Sequence, residues 1–350
     1  MLEILSCNDI IKWNSYIKSF TKWDVYYLWE YADSFRVHGD GMPLLVYYED
    51  SYCRFCYVVM MRDIGDVVSF QGTLDKGKYY DFETPYGYGG PLSDGIIPEQ
   101  SRKMFQRQLA DFCTEKHVIS QFVRFHPLLD NQNMLSPLIE TRYLRDTVYL
   151  DLDSPELIMA NINARNRTKI HKAAKSGVSV IQKSIDDYQD FFALYCDTMK
   201  RLDAEEYYNF NEDYFASLKR LEKNACLFYA MLDSQSIGGI LVLYNKDFMH
   251  YHLVATHSDY RNYAANDLLI YEAACWGSRN AIKKFHLGGG MAPDDSLFRF
   301  KKQFNRFGRV PFVVGRTIFD REVYSELLQL RERLNPEFNM ENNFMIQYRR

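Results

Sequence analysis

Three stretches of this 350-residue sequence combine residue types that could do chemistry. From Asn163 to Val178 the chain sets Arg165, Arg167, Lys169 and Lys172 on what reads as a basic helix closed by Gly177. Cations near a helix C-terminus are favourable without any ligand, and the same cations can hold phosphate groups, so a solvated face and a phosphate site are both open readings. The second stretch, Phe248 to Thr256, carries Tyr251 and His252 and runs through Arg261 and Asn266 into a helix. Asn266 either caps that helix or touches a ligand at its amino end, where unbonded N–H groups attract anions. The third begins with Gly288-Gly289-Gly290 and continues to Phe304. A bend rarely needs three glycines, whereas close approach of a ligand to the backbone around Gly289 would. Phe298, Phe300 and Phe304 read as core or cleft wall, leaving Arg299, Lys301 and Lys302 as the polar candidates. Asp294 and Asp295 serve as loop or cap residues, or as a general base.

Apolar spacing gives the elements that must hold these residues. Helical periodicity predicts Ile10–Ser19, Val25–Asp33, Glu99–Lys116, Asp187–Leu202, Asn211–Lys223, Asn266–Asn280 and Arg321–Leu334. A hairpin is predicted from Pro43–Tyr48 and Tyr52–Met61, and a second from Ala225–Asp233 and Ser236–Tyr244. Further strands are expected at Ile119–Phe125, Val148–Leu152, Phe248–Thr256 and Lys283–Leu287. Both halves therefore run hairpin, long loop, helix, strand, and a duplicated domain is the simplest account. The expected division is 1–146, 147–316, and a closing segment 317–350 whose helix packs back on the first half.

Composition removes several classes of function. Hydrophobic residues make up 47% and aromatics 16%, which excludes a disordered chain and provides for more than one core. The longest apolar runs, such as Ile237–Tyr244, are of strand length, well short of the roughly 18 residues that span a bilayer. Met1–Ser6 has no secretion-signal pattern, so a cytoplasmic location is expected. The seven cysteines are scattered; Cys53 and Cys56 fall within an expected strand and read as core residues, with no metal site. A net charge of −4 provides no general field for a polyanion, so any phosphate binding must be local.

At the three stretches the sequence resembles the FemABX family, the non-ribosomal aminoacyl transferases that build peptidoglycan bridges, and more broadly the FemAB-like branch of the GNAT superfamily. The resemblance rests on Asn166 to Gly177, Tyr251 to Thr256, Asn266-Asp267-Leu268-Leu269 with Glu272, Ala273 and Trp276, and Gly288 to Phe304. In the first half only the layout and the loop Thr84-Pro85-Tyr86-Gly87-Tyr88-Gly89-Gly90-Pro91 match. It implies an α/β (α+β) fold of two tandem GNAT-like domains with mixed sheets flanked by helices. It also implies an aminoacyl-tRNA donor, an acceptor amine on a cell-envelope precursor such as a muropeptide, and no tightly bound cofactor. By its Phe-Lys motif, Lys301 lies near the reacting ester, and Arg201, Tyr208 and Tyr251 hold the acceptor. Trp29-Glu30-Tyr31 stands where the family has Trp followed by Lys, and no charged heptad segment forms a helical arm, so the resemblance is to the compact type.

Amine attack on an ester or thioester needs alignment and a stabilised oxyanion but no covalent enzyme intermediate, so Lys301 is the expected electrostatic stabiliser. The sequence is also compatible with two rival readings. One is an acyl-CoA-dependent N-acyltransferase acting on an amino sugar of a surface polysaccharide. Ordinary acetyltransferases place [Arg/Gln]-x-x-Gly-x-[Gly/Ala] before the helix that receives coenzyme A, and here Ala264 and Asn266 occupy the glycine positions. The other rival is a non-catalytic binding module. The expected partners are the envelope precursor and tRNA, not DNA, with at most peripheral membrane contact.

Overall fold

The computed structural model describes residues 1–350, and the chain divides into two compact units, Met1–Leu144 with Phe312–Arg350, and Arg145–Pro311. The first unit contains β1 (Leu2–Leu5), α1 (Ile10–Ser19), α2 (Trp29–His38), β2 (Met42–Glu49), β3 (Cys53–Asp63), β4 (Tyr80–Glu83), β5 (Leu92–Gly95), α3 (Glu99–Glu115) and β6 (Val118–Arg124). Strand β7 (Glu140–Asp151) carries the chain into the second unit. There follow α4 (Pro155–Asn161), α5 (Ala164–Lys175), β8 (Ser179–Ser184), α6 (Gln189–Leu202), α7 (Glu212–Leu218), β9 (Ala225–Leu232), β10 (Gln235–Tyr244) and β11 (Phe248–Thr256). α8 (Ala265–Arg279), β12 (Lys284–Gly288) and α9 (Ser296–Lys302) complete it; β13 (Arg309–Ile318) returns to the first unit and α10 (Arg321–Leu334) follows.

The two units repeat one strand plan. In the first, the order is β1-β2-β3-β4-β6-β13, antiparallel except for the β4–β6 pair. In the second it is β8-β9-β10-β11-β12-β7, antiparallel except for β11–β12. Each parallel pair needs a crossover, and each crossover contains a long helix, α3 or α8. The sequence places the last segment at 317, whereas the chain rejoins the first unit at Phe312, inside β13.

In the second unit, adjacent glycines of β10 reveal the layers. A Cβ on Gly238 would meet Leu269 of α8, and one on Gly239 would meet Phe191 of α6, so these helices cover opposite faces of the sheet. Leu268, Leu269, Ala273 and Ala274 of α8 join Ile170 and Ala173 of α5 in one core with Phe298 and Phe304.

Two predicted helices differ from the structure. Asp24 accepts a hydrogen bond from Val25 N and starts a short 3-10 turn, Val25–Tyr27; Leu28 is extended, and α2 begins only at Trp29. α7 ends at Leu218 and a 3-10 segment continues to Asn224, with Glu222 at φ 46° blocking α-helical continuation.

The carboxyl-terminal residues are tied to the first unit by charge. Asp81 is fully buried and accepts from Tyr348 Oη at 2.9 Å, Arg349 Nη2 at 2.9 Å and Arg62 Nε at 3.0 Å. Burial opposes its charge, but Arg349 and Arg62 outweigh this and hold its carboxyl below the ordinary carboxylate range. Asp81→Ala leaves two largely buried guanidinium groups without their shared anion, and is expected to lower unfolding free energy by about 3–5 kcal/mol. Urea unfolding of the variant beside the parent protein measures this.

Candidate active site

The site forms where two strands of the second unit part. β11 and β12 pair only through Phe248–Lys284, Met249–Phe285 and His250–His286. Beyond that point β11 stays with β10 as far as Thr256, while β12 stays with β7 through Gly288 opposite Val148. The wedge between them has Tyr251 on one wall and Gly288–Gly289 on the other. His252 is an extra residue in the β10–β11 ladder, since Leu241 faces Leu253 and Val242 faces Tyr251. A bulge of this kind leaves the extra residue unpaired and disrupts the ladder locally.

Lys301 reaches into the wedge. Phe298 and Phe304 are buried in the core, and the turn of α9 between them carries Lys301 inward to 7% exposure. Its Nζ donates to Gly289 O at 2.7 Å and lies 5.7 Å from the centre of the Tyr251 ring. Burial pushes its pKa down to about 8, against a weak opposing pull from Asp295.

The glycine loop makes this placement possible. Gly288 takes φ 74°, a conformation that residues with a side chain resist. A Cβ on Gly290 would lie 1.9 Å from Asp295 Oδ1, so only glycine leaves room for the Asp295 carboxylate. That carboxylate caps α9, accepting from Phe298 N at 2.7 Å, and gathers Met291 N at 2.6 Å and Ala292 N at 3.1 Å. Asp295 is therefore a cap, and Asp294 is exposed. Arg145, which sequence reading missed, donates to the carbonyls of Gly290 and Met291 from the other side.

The remaining predicted residues fall into separate groups. Tyr251 is half-buried; its hydroxyl donates to Asn266 Oδ1 at 3.0 Å, and burial raises its pKa. Asn266 therefore does not cap α8, whose cap position is Ala264 in the left-handed region, without any capping side chain. Lys169 stands 3.4 Å from Asp267 in the first turn of α8 and 6.0 Å from the Phe300 ring. Arg167 donates to Ala160 O at 3.5 Å, and Arg165 is exposed. Arg261 and Arg299 are exposed as well.

Arg201, Tyr208 and His252 belong to the α6–α7 side of the sheet. Arg201 donates to Thr256 O at 2.9 Å and, with Thr198, grips the end of β11. Thr256 is five residues past Tyr251, roughly 16 Å along an extended strand, so Arg201 does not share the Lys301 neighbourhood. Tyr208 contributes its carbonyl to the Tyr195 hydroxyl at 2.8 Å. His252 Nε2 lies 2.9 Å from the Tyr214 hydroxyl, and burial, then the neighbouring His250, push its pKa down to about 3, so the imidazole is neutral. Asp267 was also missed as a site residue, because an acid in a first helical turn is unremarkable as a complement to the helix dipole.

Residues 161–302 match the acetyltransferase (GNAT) domain family, and they lie wholly within the second unit. The second unit thus carries a GNAT domain, and the whole chain has the fold of two tandem GNAT-like domains. Among solved structures it is similar to FemX, at 12% identity over 93% of this chain and 99% of that one, with a TM-score of 0.67. A conserved protein of unknown function from Bacteroides thetaiotaomicron is similar at 10% identity over 90% and 99%, TM-score 0.62. A tandem GNAT protein from the clavulanic acid biosynthesis pathway is similar at 10% identity over 91% and 99%, TM-score 0.51. At such identities the likeness establishes the fold. No curated protein matches the chain. No helix is long and apolar enough to cross a membrane.

Because the folded protein holds the Lys301 pKa near 8, below the 10.5 of a free lysine, the unfolded chain binds more protons between these values. Stability carried by this group therefore rises with pH across that window, by on the order of 3 kcal/mol in all. The difference in unfolding free energy between wild type and Lys301→Met, followed from pH 7 to 11, is expected to show this rise. A flat difference would place the ammonium in water.

Proposed function

We propose that the second unit transfers an aminoacyl group from the ester of an aminoacyl-tRNA to an amine of a cell-envelope precursor such as a muropeptide. The observation that carries the reading is the buried Lys301 ammonium in the β11–β12 wedge, fixed by the glycine loop. The residues and the fold are similar to those of the FemABX type, and the chain is expected to work in the cytoplasm, where charged tRNA is found.

The chemistry asked of the protein is modest. The amine nitrogen attacks the ester carbonyl, a C–N bond forms, the C–O bond to the ribose breaks, and the amine's surplus proton ends on the leaving oxygen. Negative charge builds on the carbonyl oxygen during attack. Gly289 takes one of the three ammonium donors of Lys301, so two remain for that oxygen. A cation in a water-poor wedge interacts with the oxyanion more strongly than one in solvent.

Lys301→Ala is expected to reduce kcat about 10²–10³-fold in a protein that still folds. Since the cationic form is lost as pH rises through about 8, wild-type kcat should fall on that alkaline side, and Lys301→Arg should move the fall to higher pH. The assay supplies aminoacyl-tRNA or acyl-CoA with muropeptide or amino-sugar acceptors and follows amide formation by mass spectrometry. Transfer from acyl-CoA alone, or a loss below tenfold on removing Lys301, would defeat the reading.

A further inference from the structure

In an ordinary acetyltransferase the amino end of the helix after the fourth-type strand receives a diphosphate on bare N–H groups. In this chain that position is the start of α8, and its surroundings are already taken. Ala264, at φ 52°, brings a methyl group where glycine would leave the backbone open. Asn266 turns its carboxamide oxygen to the Tyr251 hydroxyl. Asp267 puts a carboxylate into the first turn at 5% exposure, 3.4 Å from Lys169 of α5, and the N–H groups of Asp267 and Leu268 already bond Ala264 O. A helix end already complemented by a carboxylate has little attraction left for a second anion, and the carboxylate repels it. Coenzyme A, which the family name implies, therefore does not fit this helix end.

We propose that Asp267, held by Lys169, is a specificity-determining residue: it closes the amino end of α8 to diphosphates and thereby sets the domain against nucleotide-thioester donors. This deepens the proposed function by assigning its choice of donor to one side chain. Lys169, read from the sequence as a phosphate ligand, is then a clamp on Asp267. Arg165, Lys172 and Lys175, all exposed on α5, are the cations left for a polyanionic donor.

The test is calorimetric titration of the full chain with coenzyme A and, separately, inorganic pyrophosphate at low salt. Asp267→Asn keeps the shape of the side chain, removes its charge and frees Lys169. It is expected to bind both ligands at least about tenfold more tightly than wild type. Lys169→Ala leaves the carboxylate in place and should gain nothing, and the double variant should lose the gain of Asp267→Asn. Wild-type protein that binds coenzyme A as tightly as Asp267→Asn overturns the assignment, as does a gain in Lys169→Ala equal to that in Asp267→Asn. Should Asp267→Asn fail to fold, micromolar binding of coenzyme A by wild type still overturns it, and absence of such binding together with no gain in Lys169→Ala supports it. The outcome is separate from that of the transfer assay, because a chain that transfers nothing from any donor can still show or lack the titration difference.

Discussion

The 2.7 Å hydrogen bond from Lys301 Nζ to the Gly289 carbonyl keeps an ammonium inside the second unit, and much of the surrounding structure exists to make that tolerable. Removing an ammonium from water is unfavourable unless polar groups replace the lost hydration. One carbonyl and one aromatic face do so only in part, so burial still pushes the lysine pKa down. The loop that presents the carbonyl cannot relax away, because Asp295 binds its amides from one side and Arg145 its carbonyls from the other. Gly290 is the point where the Asp295 carboxylate crosses, so the triple glycine is needed for the loop's own closure before any ligand arrives.

The same strand plan in the first unit is used differently. Its glycine-rich loop is sealed by packing: Gly87 and Gly90 leave room for Tyr26 and Phe125, and the Asn131 side-chain amide donates to the carbonyls of Gly89 at 2.9 Å and Pro91 at 3.0 Å. The Tyr31 hydroxyl donates to Tyr86 O at 2.6 Å. Glycine there admits aromatic rings, whereas in the second unit it admits a carboxylate and lends a carbonyl to a lysine. The two units thus share the topology of the parallel pair and its crossover helix and differ in the chemistry of the loop.

Elements with a strong apolar face were legible in the sequence, and those defined by a partner strand were not. Ile10–Ser19, Phe248–Thr256 and Arg321–Leu334 fall where periodicity put them, because each buries one face against a core. β8 escaped notice: as an edge strand with four exposed positions in six, Ser179–Ser184 has almost no apolar alternation. β4 and β5 are four residues each, too short for a pattern, and β13 owes its strand state to β6. At the site, Lys301 and Gly289 were visible as residue types in a loop after a strand. The split between Arg201 and Lys301 was not, since it depends on where β11 and β12 diverge. Nor was the bulge at His252, a register slip no single strand can encode alone.

Charge in this protein does two kinds of work, separated by burial. Exposed cations such as Arg165, Lys172 and Lys175 act through solvent over about a Debye length, roughly 8–10 Å at ordinary ionic strength, so any pull they exert on a polyanion carries little discrimination. With a net charge of −4, such attraction is local to α5. Discrimination needs charges that solvent does not screen, and Lys301 at 7% exposure and Asp267 at 5% are two such groups in the second unit. They are linked through neighbours, since Tyr251 faces the ammonium and bonds Asn266, which adjoins Asp267 in α8. A developing negative charge beside Lys301 meets an unmatched cation, whereas a standing negative charge at the helix end meets an anion already in place. Under the proposed function, this short stretch of structure would favour charge that appears during reaction over charge that arrives with the ligand, the distinction a transferase must make between its transition state and its substrates.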